Sequence, residues 1–165
     1  MRFIAVLLTL LTLSACGFTP MYGGGNASGD NAIQAKLNAI DIAGIPDQEG
    51  QALRNQLIDR FYHDGRPSSP AYALAFSPLL ITKTDLDLTK NANATRSQYS
   101  ITTSMTLLDR KTGASLLERR LSARASYDIL TSRFTTRVTE ENAEQNAIAD
   151  LARQIEQQIV LYFRR

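Results

Sequence analysis

The two side chains most often used for nucleophilic and proton-transfer chemistry near neutral pH occur once each in this chain. Cys16 is the single cysteine and His63 the single histidine among 165 residues. One histidine excludes a multi-histidine metal site, and any histidine-based triad would have to use His63. That residue falls in the last turn of an expected helix, where a solvated or dipole-facing imidazole is the ordinary role. Asp85 and Asp87 lie two apart on an expected strand, so they could share a face as paired carboxylates. With Lys83 on the same side, they read instead as a solvated strand face. Gly23-Gly24-Gly25 precedes no strand-to-helix unit, so it is linker and not a phosphate cradle. Arg120 and Arg124 are four apart on an expected strand, and Arg96 on the strand before also points away from its apolar set. Such a cluster could bind phosphate or a negatively charged lipid through paired hydrogen bonds, although an exposed sheet face carries charge in any case. No catalytic set and no cofactor site emerges, which argues against an enzyme.

The first fifteen residues explain Cys16. Arg2 supplies a positive start, Phe3 to Leu11 is an apolar run, and Ser14-Ala15 are small residues before the cysteine, the layout of an export signal. The run is too short to cross a bilayer, which takes about 20 residues. Leu13-Ser14-Ala15-Cys16 resembles a bacterial lipobox, which implies cleavage before Cys16 and acylation of its sulfur and new amino group. The expected organisation is a lipoprotein signal peptide over 1–15, an acylated N-terminus and flexible tether over 16–34, and one α/β domain over 35–165. The 18 basic residues lose one with Arg2 and then stand against 16 acidic ones, a near balance that argues against a general nucleic-acid binder. With Cys16 acylated, the exported domain has no disulfide and must hold together by packing.

The elements that would position the arginines follow from periodicity. Leu37 to Ile45 reads as a first strand, closed by Gly44 and Pro46. Asp47 is placed to cap a helix reaching His63, with Leu53, Leu57 and Phe61 on one stripe and Gly65 at its C-terminal turn. Tyr72, Leu74 and Phe76 share a strand face, continued past Pro78 by Leu80, Thr82, Thr84, Leu86 and Leu88. Pro78 lacks a ladder donor and so marks an edge or a bulge. Tyr99, Ile101, Thr103, Met105 and Leu107 form the next strand face. A turn over Asp109 to Gly113 leads to a partner strand with Leu117, Leu121, Ala123, Ala125 and Tyr127 facing in. The last element is an amphipathic helix from Thr139, as N-cap, to Phe163, with Ile148, Leu151, Ile155, Ile159 and Tyr162 buried. The fold expected is α+β: a two-layer sandwich of about four largely antiparallel strands with two helices on one face.

Cys16-Gly17-Phe18-Thr19-Pro20-Met21-Tyr22 resembles the mature start of the LptE family of lipopolysaccharide-assembly lipoproteins in its alphaproteobacterial form. That resemblance implies a two-helix, four-stranded domain that plugs the outer-membrane barrel LptD and helps it place lipopolysaccharide in the outer leaflet. It implies lipopolysaccharide as a ligand, for which Arg120, Arg124 and Arg96 are the candidate residues. Gly17, rather than Asp, after the cysteine implies an outer-membrane destination, on the periplasmic side. An accessory lipoprotein of another envelope lipid transporter would have a similar size and layout.

Overall fold

The computed structural model describes residues 27–63, 65–88 and 94–164, and Asn31–Arg165 forms one compact unit. Cys16, the leader and the opening motif lie outside the described residues. The elements are α1 (Ala27–Asn38), β1 (Ile40–Ile42), α2 (Gln48–Phe61), β2 (Tyr72–Phe76), β3 (Leu80–Leu88), β4 (Ala94–Asp109), β5 (Ser115–Asp128) and α3 (Arg133–Phe163).

The sheet is built around β4. Its 16 residues pair antiparallel with β5 along one edge, Arg96 opposite Asp128 and Leu107 opposite Leu117. The other edge is shared, β3 taking the first half and β2 the second. β1 adds to β2 in parallel, Ile40 opposite Tyr72. The result is a mixed, mostly antiparallel sheet of five strands. β2 and β3 together occupy one row, so the expected four-row layout stands with an extra break in it.

One face of this sheet is packed. Tyr99, Ile101, Met105 and Leu107 of β4 are at most 1 % exposed, and they join Leu53, Leu57 and Phe61 of α2 and Leu151, Ile155 and Ile159 of α3 in one core. Ala143, Ala147 and Ala152 are also buried, small side chains that let α3 approach the strands closely. Arg60 of α2 meets Glu156 of α3 at 3.0 Å, and the Tyr62 hydroxyl donates to the Ile40 carbonyl at 2.7 Å. Among the described residues no helix is long and apolar enough to cross a membrane.

Several boundaries differ from expectation, each for a local reason. Ala27–Asn38 is helical, although residues up to 34 read as tether and Leu37 as strand. Its low apolar content hides the helical period, and Leu37 is buried from a helix end. Asp47 precedes α2 at φ 68°, and its side chain makes no cap hydrogen bond; its carbonyl instead accepts from Gln51 N–H at 3.0 Å. α3 starts at Arg133 with Ser132 as N-cap, not at Thr139. The stretch from Arg133 to Asn142 buries nothing fully, so no apolar period announces it.

The largest difference lies past Pro78. Leu80, Thr82, Thr84 and Leu86 do not continue the inward face: Leu80 is 59 % and Leu86 46 % exposed. Between β2 and β3 the register slips by one, from Phe76 opposite Met105 to Leu80 opposite Thr102. One extra residue in a bulge reverses the parity of everything after it. Ser77 holds the bulge, its N–H donating to the Ser104 carbonyl at 2.8 Å and its hydroxyl accepting from Ser104 N–H at 2.9 Å. Ile81, Lys83 and Asp85 therefore face the helices, opposite Ile101, Tyr99 and Ser97.

Candidate functional site on the open sheet face

The face away from the helices is uncovered by any described element. β4 lays Ser100, Thr102, Ser104 and Thr106 along it, all half-buried, and β5 sets Arg124, Ser122, Arg120 and Glu118 directly opposite them. Antiparallel partners share a face, so Arg120 and Arg124 stand on the same open surface, roughly 13 Å apart along the strand at about 3.3 Å per residue. Both are exposed. Arg96 is on this face too, but Asp128 is its cross-strand partner and offsets its charge. Arg120 and Arg124 thus share one face of β5, with Arg96 at the far end beside a carboxylate.

Next to Arg120 the bulge leaves a shallow hollow of about 190 Å³, lined also by Ser77, Pro78, Leu80, Thr102 and Ser104. Guanidinium groups, a row of hydroxyls and an exposed leucine make a surface that can donate to phosphate or sugar oxygens while touching an apolar chain. Leu80 is the member of this surface that sequence reasoning misses, because strict alternation assigns it to the core. Pro78 is the available signal that alternation breaks there.

The remaining sequence candidates separate. His63 lies exposed beyond the end of α2. Asp85 accepts from the buried Ser97 hydroxyl, and a register irregularity follows it before Asp87, so the two are not a matched pair. Lys83 turns under α3 and pairs with Glu140, whose hydrogen bond holds the ammonium pKa above its ordinary value. Burial raises the Glu144 carboxyl, helped by the carboxylates of Glu49 and Glu140. Burial, then Glu144, Glu49 and Glu140, raise the Tyr99 phenol further still. Among the described residues no group of three His, Cys, Asp or Glu side chains is placed to hold a metal ion.

The family model described as LptE, lipopolysaccharide-assembly, matches residues 37–162. The chain belongs to the LptE family. The match spans the folded domain and shares no residue with the opening motif at 16–22, so two separate stretches point the same way. No curated protein matches the chain. Among solved structures, the LptE-type domain is similar to a lipoprotein from Caulobacter crescentus CB15, with 22 % identity over 80 % of this chain and 96 % of that one, at a TM-score of 0.63. The rare lipoprotein B of Shewanella oneidensis matches with 11 % identity over 73 % of this chain and 90 % of that one, at a TM-score of 0.56. A minor lipoprotein of Acinetobacter baumannii matches with 23 % identity over 74 % and 88 %, at a TM-score of 0.54. At these identities the likeness is one of fold. LptE membership makes the chain a lipopolysaccharide-assembly lipoprotein of the Gram-negative envelope.

Proposed function

We propose that the chain is a non-enzymatic subunit of the lipopolysaccharide translocon, anchored to the periplasmic side of the outer membrane through acylated Cys16. In this reading it plugs an LptD-type barrel and helps it place lipopolysaccharide in the outer leaflet. The observation that carries the reading is LptE membership over residues 37–162. The open sheet face supports it: Arg120 and Arg124, amid hydroxyl rows, suit the phosphates of lipopolysaccharide, with Arg96 a third contact. Each exposed contact contributes about 1 kcal/mol or less in water and more where a barrel wall excludes it.

The test is to purify the lipidated chain from membranes, alone and with its barrel, and titrate lipopolysaccharide. Wild type should bring down a barrel at one to one. Arg120→Glu with Arg124→Glu should weaken lipopolysaccharide binding about tenfold at low salt, equivalent to about 1.4 kcal/mol, with the barrel complex kept. Unchanged affinity would make these arginines a solvated face, and loss of the barrel would make them barrel contacts. Depletion with normal lipopolysaccharide export would overturn the translocon assignment in favour of another envelope transporter.

A further inference from the structure

Six large apolar side chains stand exposed among the described residues, and three of them, Leu130, Phe134 and Val138, fall in the lead-in and first turns of α3. Ile129 N–H donates to the Thr95 carbonyl at 2.9 Å, fixing the lead-in to α3 beside the start of β4. Phe134 and Val138 are four apart on α3, the spacing that stacks side chains on one side of a helix, and Leu130 lies four residues ahead of them in the lead-in. Phe134 is 79 % exposed. Arg133 and Arg137 recur beside them at the same spacing.

This ridge is held out by a built framework and is not a frayed end. The Thr136 hydroxyl accepts from Leu130 N–H at 2.9 Å and lies 3.1 Å from both the Leu130 and Ser132 carbonyls. The Thr139 hydroxyl lies 2.8 Å from the Thr136 carbonyl and 3.1 Å from the Asp128 carbonyl, which sets the second turn of α3 beside the end of β5. The Ser132 hydroxyl caps Thr135 N–H at 3.5 Å. Between them is a hollow of about 380 Å³ lined by Ile129, Leu130, Arg133, Thr136, Arg137 and Glu140.

The charge beside the ridge is positive. Glu140 is turned inward to Lys83. Arg137 meets Glu141 at 3.1 Å, but both side chains are mostly exposed, where such a pair is weak. Arg133 has no ion-pair partner among the described residues.

We propose that the start of α3 docks the domain onto an anionic phospholipid bilayer, with Phe134 and Leu130 entering the boundary between headgroups and acyl chains and Arg133 and Arg137 on lipid phosphates. A projecting aromatic and aliphatic ridge flanked by arginines is the chemistry of interfacial insertion, in which the long cationic side chains reach back to the headgroups. The proposal is independent of the barrel reading; it needs only a domain near a membrane surface.

The chain has no tryptophan, so Phe134→Trp in the full lipidated chain introduces a single fluorescent reporter. The variant is reconstituted into phosphatidylcholine vesicles with and without phosphatidylglycerol, in each case with brominated acyl chains as quencher. The emission of Phe134→Trp should shift to the blue and be quenched in the anionic vesicles, with at least half of that quenching lost on adding Arg133→Glu and Arg137→Glu. Leu161→Trp, also on α3 and at a position 47 % exposed, should stay unquenched. The proposal fails if the Phe134→Trp indole ignores brominated lipid while remaining open to aqueous iodide, or if charge reversal changes nothing. It also fails if that indole becomes shielded only when other envelope proteins are added, which would make the ridge a protein interface.

Discussion

The bulge at Ser77 makes a sharp prediction about two adjacent residues. Strict alternation puts Leu80 in the core, whereas the observed register puts Ile81 there, against Ile101. Ile81 is half-buried against the core and Leu80 is 59 % exposed. Truncating isoleucine to alanine removes three carbons, and at about 0.8 kcal/mol per buried methylene a full burial would lose about 2.4 kcal/mol. Partial burial brings this to about 1–2 kcal/mol, before any cavity cost. Leu80→Ala should stay within about 0.5 kcal/mol of wild type, as surface changes do. The assay is urea unfolding of the full chain in detergent, following far-UV circular dichroism, with equal slopes required before midpoints are compared. In a thermal scan the Ile81→Ala loss corresponds to a fall of about 2–8 °C. If Leu80→Ala costs as much as Ile81→Ala, or if Ile81→Ala is neutral, the bulge and the parity reversal are wrong. Arg120 would then lose the leucine-lined hollow beside it.

Two other perturbations test the packed side. Gly50 in the first turn of α2 sits so close to Ile45 that a Cβ would lie 2.7 Å from its Cγ2 and 3.1 Å from its carbonyl carbon. Gly50→Ala should therefore destabilise by about 1 kcal/mol in a thermal melt, overpacking of about 1–3 kcal/mol outweighing a helix-propensity gain of about 1 kcal/mol; a rise in melting temperature would show that Ile45 yields. Tyr99 is 1 % exposed and its hydroxyl has no partner, so Tyr99→Phe should be neutral or stabilising at pH 7, because a lone buried hydroxyl costs about 1–3 kcal/mol. Its raised pKa means that the folded state keeps a proton the unfolded state releases, so this contribution is whole below about pH 10 and is lost as pH rises. Tyr99→Phe should flatten the alkaline fall in stability, while Lys83, also raised, leaves a residual slope of the same sign; an unchanged alkaline limb would refute the assignment.

Legibility follows the strength of the periodic signal. The stripe Leu53, Leu57, Phe61 and the β4 face from Tyr99 to Leu107 are readable because each residue has a full complement of core partners. The Asp109 turn is readable because its carboxylate accepts from the backbone N–H groups of Lys111 and Thr112 at 2.8 and 2.9 Å, and Gly113 takes φ 71°. What stays hidden are elements with little apolar burial of their own. α1 and the first turns of α3 are polar or exposed, so their helices are set by caps and tertiary context and not by a stripe. The one-residue slip at Ser77 leaves no mark in composition beyond the proline, yet it reassigns β3 from Leu80 to Asp85, up to the next register irregularity.

The same asymmetry explains why the candidate site is harder to read than the fold. A sheet packed on one side must show polar residues on the other, so the serines and threonines of β4 need no ligand to account for them. What a bare polar face does not require is Leu80 exposed next to Arg120, with a bulge holding the space between them. That combination arises only from register: β4 brings the Ser77 bulge and the arginines of β5 to opposite edges of the same strand, and Ser104, hydrogen-bonded to Ser77 on one side and opposite Arg120 on the other, joins the two. A charge count finds the arginines and an alternation count misplaces the leucine. Only the pairing of three strands turns them into one surface that offers both guanidinium donors and an apolar contact to an amphipathic ligand.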